Sequence, residues 1–232
     1  MRNMQTNLFY ILSVSKKEFM EIKNSLIKVS GILLLSLLPV GGVGFNQGQN
    51  GTFSPERNML CTLVFAGLFS AIFLKEAITR EKRQQTLEIL LISKADLSCL
   101  IIGKILPVLA VSILFEVIQF SFLYGILIYI GSGMTSLFTI QSLLMMPFIY
   151  YSMCIVVLIS SIIVNDEKAS DVIGVILSFA VGILLLLGVN FLNAFVSWSI
   201  FLISCFGISV LNISLTFLCK WILQKSLLFI KL

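Results

Sequence analysis

The sequence predicts an all-α, polytopic membrane protein with six transmembrane helices, and three observations predict it. Hydrophobic residues make up 58% of the 232 residues and charged residues only 12%, with a mean hydropathy of +1.06; a soluble domain of that balance would expose large apolar patches. The apolar residues gather into runs near the length that crosses a bilayer as a helix, about 20 residues. Finally, fifteen of the sixteen Lys and Arg residues fall on one side of the resulting topology, the asymmetry that marks cytoplasmic loops.

Residues 1–28 are polar and amphipathic. Leu12, Phe19, Ile22 and Leu26 fall on one helical face, and Lys16, Lys17, Glu18, Glu21, Lys23 and Asn24 populate the rest. This pattern predicts a helix lying in the headgroup plane, its lysines toward anionic lipid. The following apolar run passes signal-peptide length without an A-x-A-like site, so the amino terminus is expected to be retained.

The runs then follow in order as one transmembrane domain over 1–232. The first, 29–45, is short, holds Pro39 and a glycine cluster, and spans by borrowing Ser25 to Lys28. A polar loop, 46–58, leads to the second run, 59–78. The third, 100–130, tolerates Lys104 near its start, where a long side chain can snorkel, and Pro107, which should kink it. The fourth, 137–164, contains Pro147, and a short charged loop (NDEKASDV) separates it from the fifth, 172–195. The sixth, 198–219, follows so closely that the last two read as a tight hairpin, either fully spanning or re-entrant. The internal prolines have two readings, tolerated kinks or gating points.

With the amino terminus inside, only Arg57 falls outside. Both termini are thus expected in the cytoplasm, and an even number of spans follows from the basic tail at Lys220, Lys225 and Lys231. The expected location is the plasma (inner) membrane. Because the basic residues flank apolar runs instead of forming a polar domain, nucleic acid is not an expected partner. The five cysteines are scattered, without C-x-x-C, and the chain has no histidine, so they read as buried small side chains and no metal site is expected.

Between the second and third runs lies the longest charged segment, from Lys75 to Lys94, without Pro or Gly and rich in helix formers. It predicts a helix leaving the membrane and turning along its surface, with Glu76 and Arg80 as an i,i+4 pair. Glu81 to Asp96 reads E-K-R-Q-Q-T-L-E-I-L-L-I-S-K-A-D and is followed by I-I-G-K ending at Lys104. This resembles the segment between helices two and three of type-2 ABC permeases, approximately E-R-x-x-G-T-L-E-x-L-L-x-[ST]-P with a later G-K opening the third helix. Glu81, Thr86, Leu87, Glu88, Leu90, Leu91, Ser93, Gly103 and Lys104 match in order. Gln85 stands where the family has glycine and Lys94 where it has proline. The weaker likeness of 160–169 to the next inner loop, and the number and order of runs, extend the resemblance over most of the chain.

The resemblance implies a permease subunit of an ATP-driven exporter that works with a second permease, identical or related. Its cytoplasmic coupling helix would rest in a groove of a cytosolic ABC ATPase. The residues it implies for coupling are Glu81, Arg83, Thr86, Leu87, Glu88, Leu90 and Leu91. The chain has no G-x-x-x-x-G-K-[ST], so no cofactor is expected here, and ATP and Mg would sit on the partner ATPase.

Glu116 is the one ionisable residue deep in a run, and Gln119 shares its helical face. A carboxylate at that depth faces a partner or a wet cavity. It lines either the substrate path or a dimer interface, or it is a neutral carboxyl satisfied by Gln119, a backbone carbonyl or Gln141. With one buried acid and an otherwise apolar lining, the expected cargo is amphiphilic or hydrophobic: a peptide, lipid or drug. Competing readings are a non-ABC assembly, channel or sensor protein. An intramembrane enzyme is disfavoured because Asp96, Asp166 and Asp171 all fall in loops and histidine is missing.

Overall fold

The computed structural model describes residues 2–24, 67–68, 71–81, 97–130, 136–164, 167–191 and 197–230. They are helical almost throughout, with no strand among them. We number the helices α1 (Arg2–Asn24), α2 (71–81), α3 (Leu97–Ile130), α4 (Ser136–Ile163), α5 (Glu167–Phe191) and α6 (Trp198–Ile230). Three stretches are long and apolar enough to cross a membrane: Leu97–Phe122 in α3, Ile140–Ile163 in α4 and Trp198–Lys225 in α6. The apolar part of α5, Val172–Gly188, is shorter. The expected span 29–45 lies outside the described residues, and of 59–78 only 67–68 and 71–78 lie within them.

Pro107 and Pro147 sit inside α3 and α4, which continue through them. Where the sequence predicts a stop at Cys219, α6 runs on to Ile230. Lys220 and Lys225 end the apolar run without ending the helix, because lysine is a good helix former. Lys225 folds back over the Trp221 ring, its Nζ 4.1 Å from the centroid, an exposed cation–π contact on the extension.

Helix α4 is the centre of the bundle, in contact with α3, α5 and α6. In its apolar window 61% of the residues are buried, against 22% for α6, so α6 is peripheral and shows most of its side chains to the surroundings. The tight turn expected between the last two helices falls on 192–196, outside the described residues; α5 and α6 each pack on α4. The reason on α5 is a stripe of small residues four apart, Gly174, Ser178 and Gly182, all buried. Such a stripe lets helix backbones approach closely in an apolar solvent. A Cβ at Gly174 would lie 2.6 Å from Ser160 Oγ, and one at Gly182 would lie 2.8 Å from Met153 Sδ. Met153 is also closed in from another side by Gly67, where a Cβ would come within 2.6 Å of Sδ.

On α6 the attachment to α4 is polar. Ser152 Oγ donates to Asn212 Oδ1, Asn212 Nδ2 donates to the Phe148 carbonyl at 2.9 Å, and the Tyr151 hydroxyl meets Thr216 Oγ1 at 3.1 Å. These groups have no water to return to in hydrocarbon, so pairing across the interface orients the two helices. One apolar cluster gathers Phe115, Phe120, Met145, Ile149, Tyr150 and Met153, and a second gathers Leu74, Ile78, Ile101, Ile105, Cys154 and Cys219. Cys99, Cys154 and Cys219 are buried free thiols and Cys205 is half-buried, as read from the sequence; Cys61 lies outside the described residues.

Helix α1 packs against α3. Its inward face carries Ile11, Val14, Ser15, Glu18 and Ile22, while Phe9, Leu12, Phe19 and Met20 are exposed. The face chosen from hydropathy is therefore split: Ile22 joins the core, and Leu12 and Phe19 point away from the bundle. Ionic and hydroxyl contacts, described next, set the docked face.

Candidate functional site

Lys104 stands about two turns into α3 and is 1% exposed. Its Nζ donates to Glu18 Oε1 of α1 at 3.0 Å and to Glu81 Oε2 at the end of α2. The expected snorkelling toward water is thereby corrected, since the ammonium finds two carboxylates inside the bundle. Lys17 Nζ donates to the other oxygen of Glu81 at 3.2 Å and lies 4.0 Å from Glu21. Arg80 completes the set by pairing with Glu21. Lys17, Arg80 and Lys104 thus meet Glu18, Glu21 and Glu81, three charges of each sign from three helices.

Two features make the approach of α1 possible. Gly103 leaves no side chain under α1: a Cβ there would sit 3.1 Å from Val14 Cβ and 3.4 Å from the Ile11 carbonyl oxygen. Beside it, Ser15 Oγ donates to the Gly103 carbonyl at 3.0 Å, giving the buried hydroxyl a partner. The Gly103-Lys104 pair therefore admits α1 with its first residue and locks it with its second. Breaking the Lys104 pairs leaves a buried charge unmatched, which costs about 3–5 kcal/mol. The Arg80–Glu21 pair, on half-exposed groups, contributes about 0–1 kcal/mol.

Of the residues expected to couple, Glu81 is the described one; Arg83, Thr86, Leu87, Glu88, Leu90 and Leu91 lie outside the described residues. Glu81 is 3% exposed, and its carboxylate is turned to Lys104 and Lys17 instead of outward to a docking partner. Its place is structural in a specific way: it fixes the point where 82–96 leaves α2, while Lys104 fixes the start of α3 where that segment returns.

The second group of polar residues lies deeper. Lys104, Ser112, Glu116 and Gln119 are the buried polar residues of α3, and Glu116 is 12 positions from Lys104, about 18 Å along the axis. Glu116, Gln119 and Gln141 of α4 are all buried, and no side-chain oxygen or nitrogen of the three has a hydrogen-bond partner among the described residues. The alternative in which Gln119 or Gln141 satisfies the Glu116 carboxyl is thus not the arrangement adopted. Phe115 and Phe120 of the same helix belong to an apolar cluster with Tyr150 of α4. An unpaired carboxyl and two unpaired amides in an apolar core cost about 1–3 kcal/mol each.

A third feature has no counterpart in the sequence reading. Between α3, α4 and α6 lies a cleft of about 520 Å³. Leu109, Phe148, Ile213 and Phe217 form its apolar walls, with Tyr151, Asn212 and Thr216 at mid-depth. At the end where α3 begins, Lys220 Nζ donates to Ser98 Oγ at 3.1 Å. Asn212 is the signal that sequence reasoning passed over: an amide in the middle of an apolar run requires a partner on another helix. Comparison of the chain with protein-family models, curated proteins and solved structures found no match.

Proposed function

We propose that this chain is the membrane-spanning permease subunit of an ATP-driven type-2 ABC exporter. Six helices cross the plasma membrane, with both termini and the Lys104 end of the bundle in the cytoplasm. The observation that carries the reading is the ion cluster. It ties the exit of the segment 82–96 at Glu81, the start of α3 at Lys104 and the helix α1 at Glu18 into one block. The signature-like residues Thr86, Leu87, Glu88, Leu90 and Leu91 lie between those two positions in the sequence.

A force applied to such a segment reaches the bundle without being absorbed at its roots. Closure of a cytosolic ATPase pair, with ATP and Mg, displaces the segment; Arg83 and Glu88 set register, and Leu87, Leu90 and Leu91 hold it to the third span. Because Lys104 and Glu116 both lie on α3, tilting of that helix moves the Glu116–Gln119 level, where an amphiphilic or hydrophobic cargo passes. A second permease, identical or related, supplies the other half of the path. The chain itself does no covalent chemistry.

The test is purification from native membranes followed by ATPase and transport assays. An ATPase co-purifies under this reading, and Glu88→Lys leaves ATP hydrolysis intact while abolishing transport. Transport that persists without any ATPase would point to a channel instead.

A further inference from the structure

Glu116 lies near the middle of α3, about 28 Å along the axis from Leu97 and about 21 Å from Ile130. It is 0% exposed, and neither carboxyl oxygen has a hydrogen-bond partner among the described residues. Phe115 and Phe120, on the same helix, belong to the apolar cluster that also holds Met145, Met146 and Ile149 of α4. A carboxylate in such surroundings keeps its charge only beside a cation or several hydrogen-bond donors.

The chain supplies neither at this depth. In the six expected membrane runs the charged residue types occur at Lys75, Glu76, Lys104 and Glu116 alone, so the runs outside the described residues bring no cation. Lys104 is about 18 Å away along α3 and is held by Glu18 and Glu81. Lys75 stands six residues before Glu81 on α2, and Glu116 makes no hydrogen bond to it. Helices α1, α4 and α6 pack against α3. Toward the Glu116 cluster α4 brings Tyr150 and α6 brings Cys205, neither of them a cation. Lys17, Glu18 and Glu21 of α1, with Arg80 and Glu81 of α2, belong to the ion cluster at Lys104, and Glu76 is exposed.

We propose that Glu116 is a proton-binding site: its carboxyl holds a proton while α3 and α4 are packed together and passes it to water when they separate, so that opening of this contact and proton release are one event. The O–H bond breaks, its electron pair stays on the carboxylate oxygen and the proton leaves on water; nothing is oxidised or reduced. Gln119 on α3 and Gln141 on α4, buried and without partners among the described residues, give water a polar route along the two helices once their contact loosens. The site needs neither an ATPase nor a cargo and is independent of the transport reading.

Infrared difference spectroscopy of the full-length protein in phosphatidylcholine vesicles reads the site directly. At about pH 7 ordinary Asp and Glu side chains are ionised. Subtracting the Glu116→Gln spectrum from that of the parent should therefore leave the carbonyl band of one protonated carboxyl. A carboxylate band in that difference would overturn the proposal. The link to opening is read at Met146→Cys, a buried α4 position in the same cluster, in a chain whose native cysteines are replaced by alanine. Its labelling by a small water-soluble maleimide, taken relative to the same chain carrying Glu116→Gln, should rise with pH by up to about tenfold per pH unit, the linkage of one proton. The ratio cancels the titration of the cysteine itself. A ratio that does not change with pH would show that opening and proton release are separate, and would overturn the proposal even if the carboxyl band is present.

Discussion

Lys104 and Glu18 lie 86 residues apart in the chain and meet at 3.0 Å in the interior, joined there by Glu81. That contact decides how the amino-terminal helix docks, which end of α2 is rigid and where α3 is anchored. Most of the consequences that can be measured follow from it.

Removing the cation is the most direct perturbation. Lys104→Met strands the buried Glu18 carboxylate and leaves Glu81 to Lys17 alone, and is expected to lower stability by about 3–5 kcal/mol, seen as a fall in the thermal unfolding midpoint of the purified protein. Adding Glu18→Gln and Glu81→Gln to Lys104→Met should recover most of the loss, since no buried carboxylate then remains without its cation, and Lys17 and Arg80 are partly exposed and keep Glu21. A triple variant no more stable than Lys104→Met would show that the pairs do not hold the block together.

Gly103 tests the same docking sterically. Gly103→Val puts a branched side chain where even a Cβ would be 3.1 Å from Val14, and overpacking of this kind costs about 1–3 kcal/mol. The expected result is release of α1, read as faster proteolysis between Lys16 and Lys23 with the remaining bundle intact. Unchanged proteolysis would place α1 elsewhere.

Much of this was legible in the sequence, and the failures have physical causes. The long helices were readable because hydropathy alone sets the length of α3 and α4. Polar residues inside apolar runs were misread, because their partners sit on other helices and one sequence carries no sign of pairing. Lys104 looks like a side chain that snorkels until Glu18 and Glu81 are placed beside it. Glu81 looks outward-facing for the same reason. On α1 the hydrophobic face was read correctly as a pattern, yet Ser15, Glu18 and Gly103 decide which face docks, leaving Leu12 and Phe19 exposed. The Gly174, Ser178 and Gly182 stripe was available at spacing four and is informative only once a neighbour is known.

Glu116 is expected to trade stability against function. Glu116→Leu removes a buried carboxyl with no partner among the described residues and should raise stability by about 1–3 kcal/mol while transport falls. Glu116→Gln should keep part of the transport, because it preserves shape and hydrogen-bonding capacity. A variant that gains stability with transport unchanged would remove Glu116 from the path.

The polar seam between α4 and α6 predicts a smaller effect. Asn212→Leu breaks the bonds to Ser152 and the Phe148 carbonyl and should cost about 0.6–2 kcal/mol. Ser152→Ala in that background should add little, because the two side chains act as one unit. Additive losses from the two substitutions, measured by unfolding, would separate them.

The central claim is tested most directly by the accessibility of Thr86→Cys in a chain whose five native cysteines are replaced by alanine. In membranes of defined orientation, a membrane-impermeant maleimide should label this cysteine from the cytoplasmic side alone, and the co-purifying ATPase should protect it. Labelling from the outer side, or equal labelling with and without the ATPase, would contradict the account.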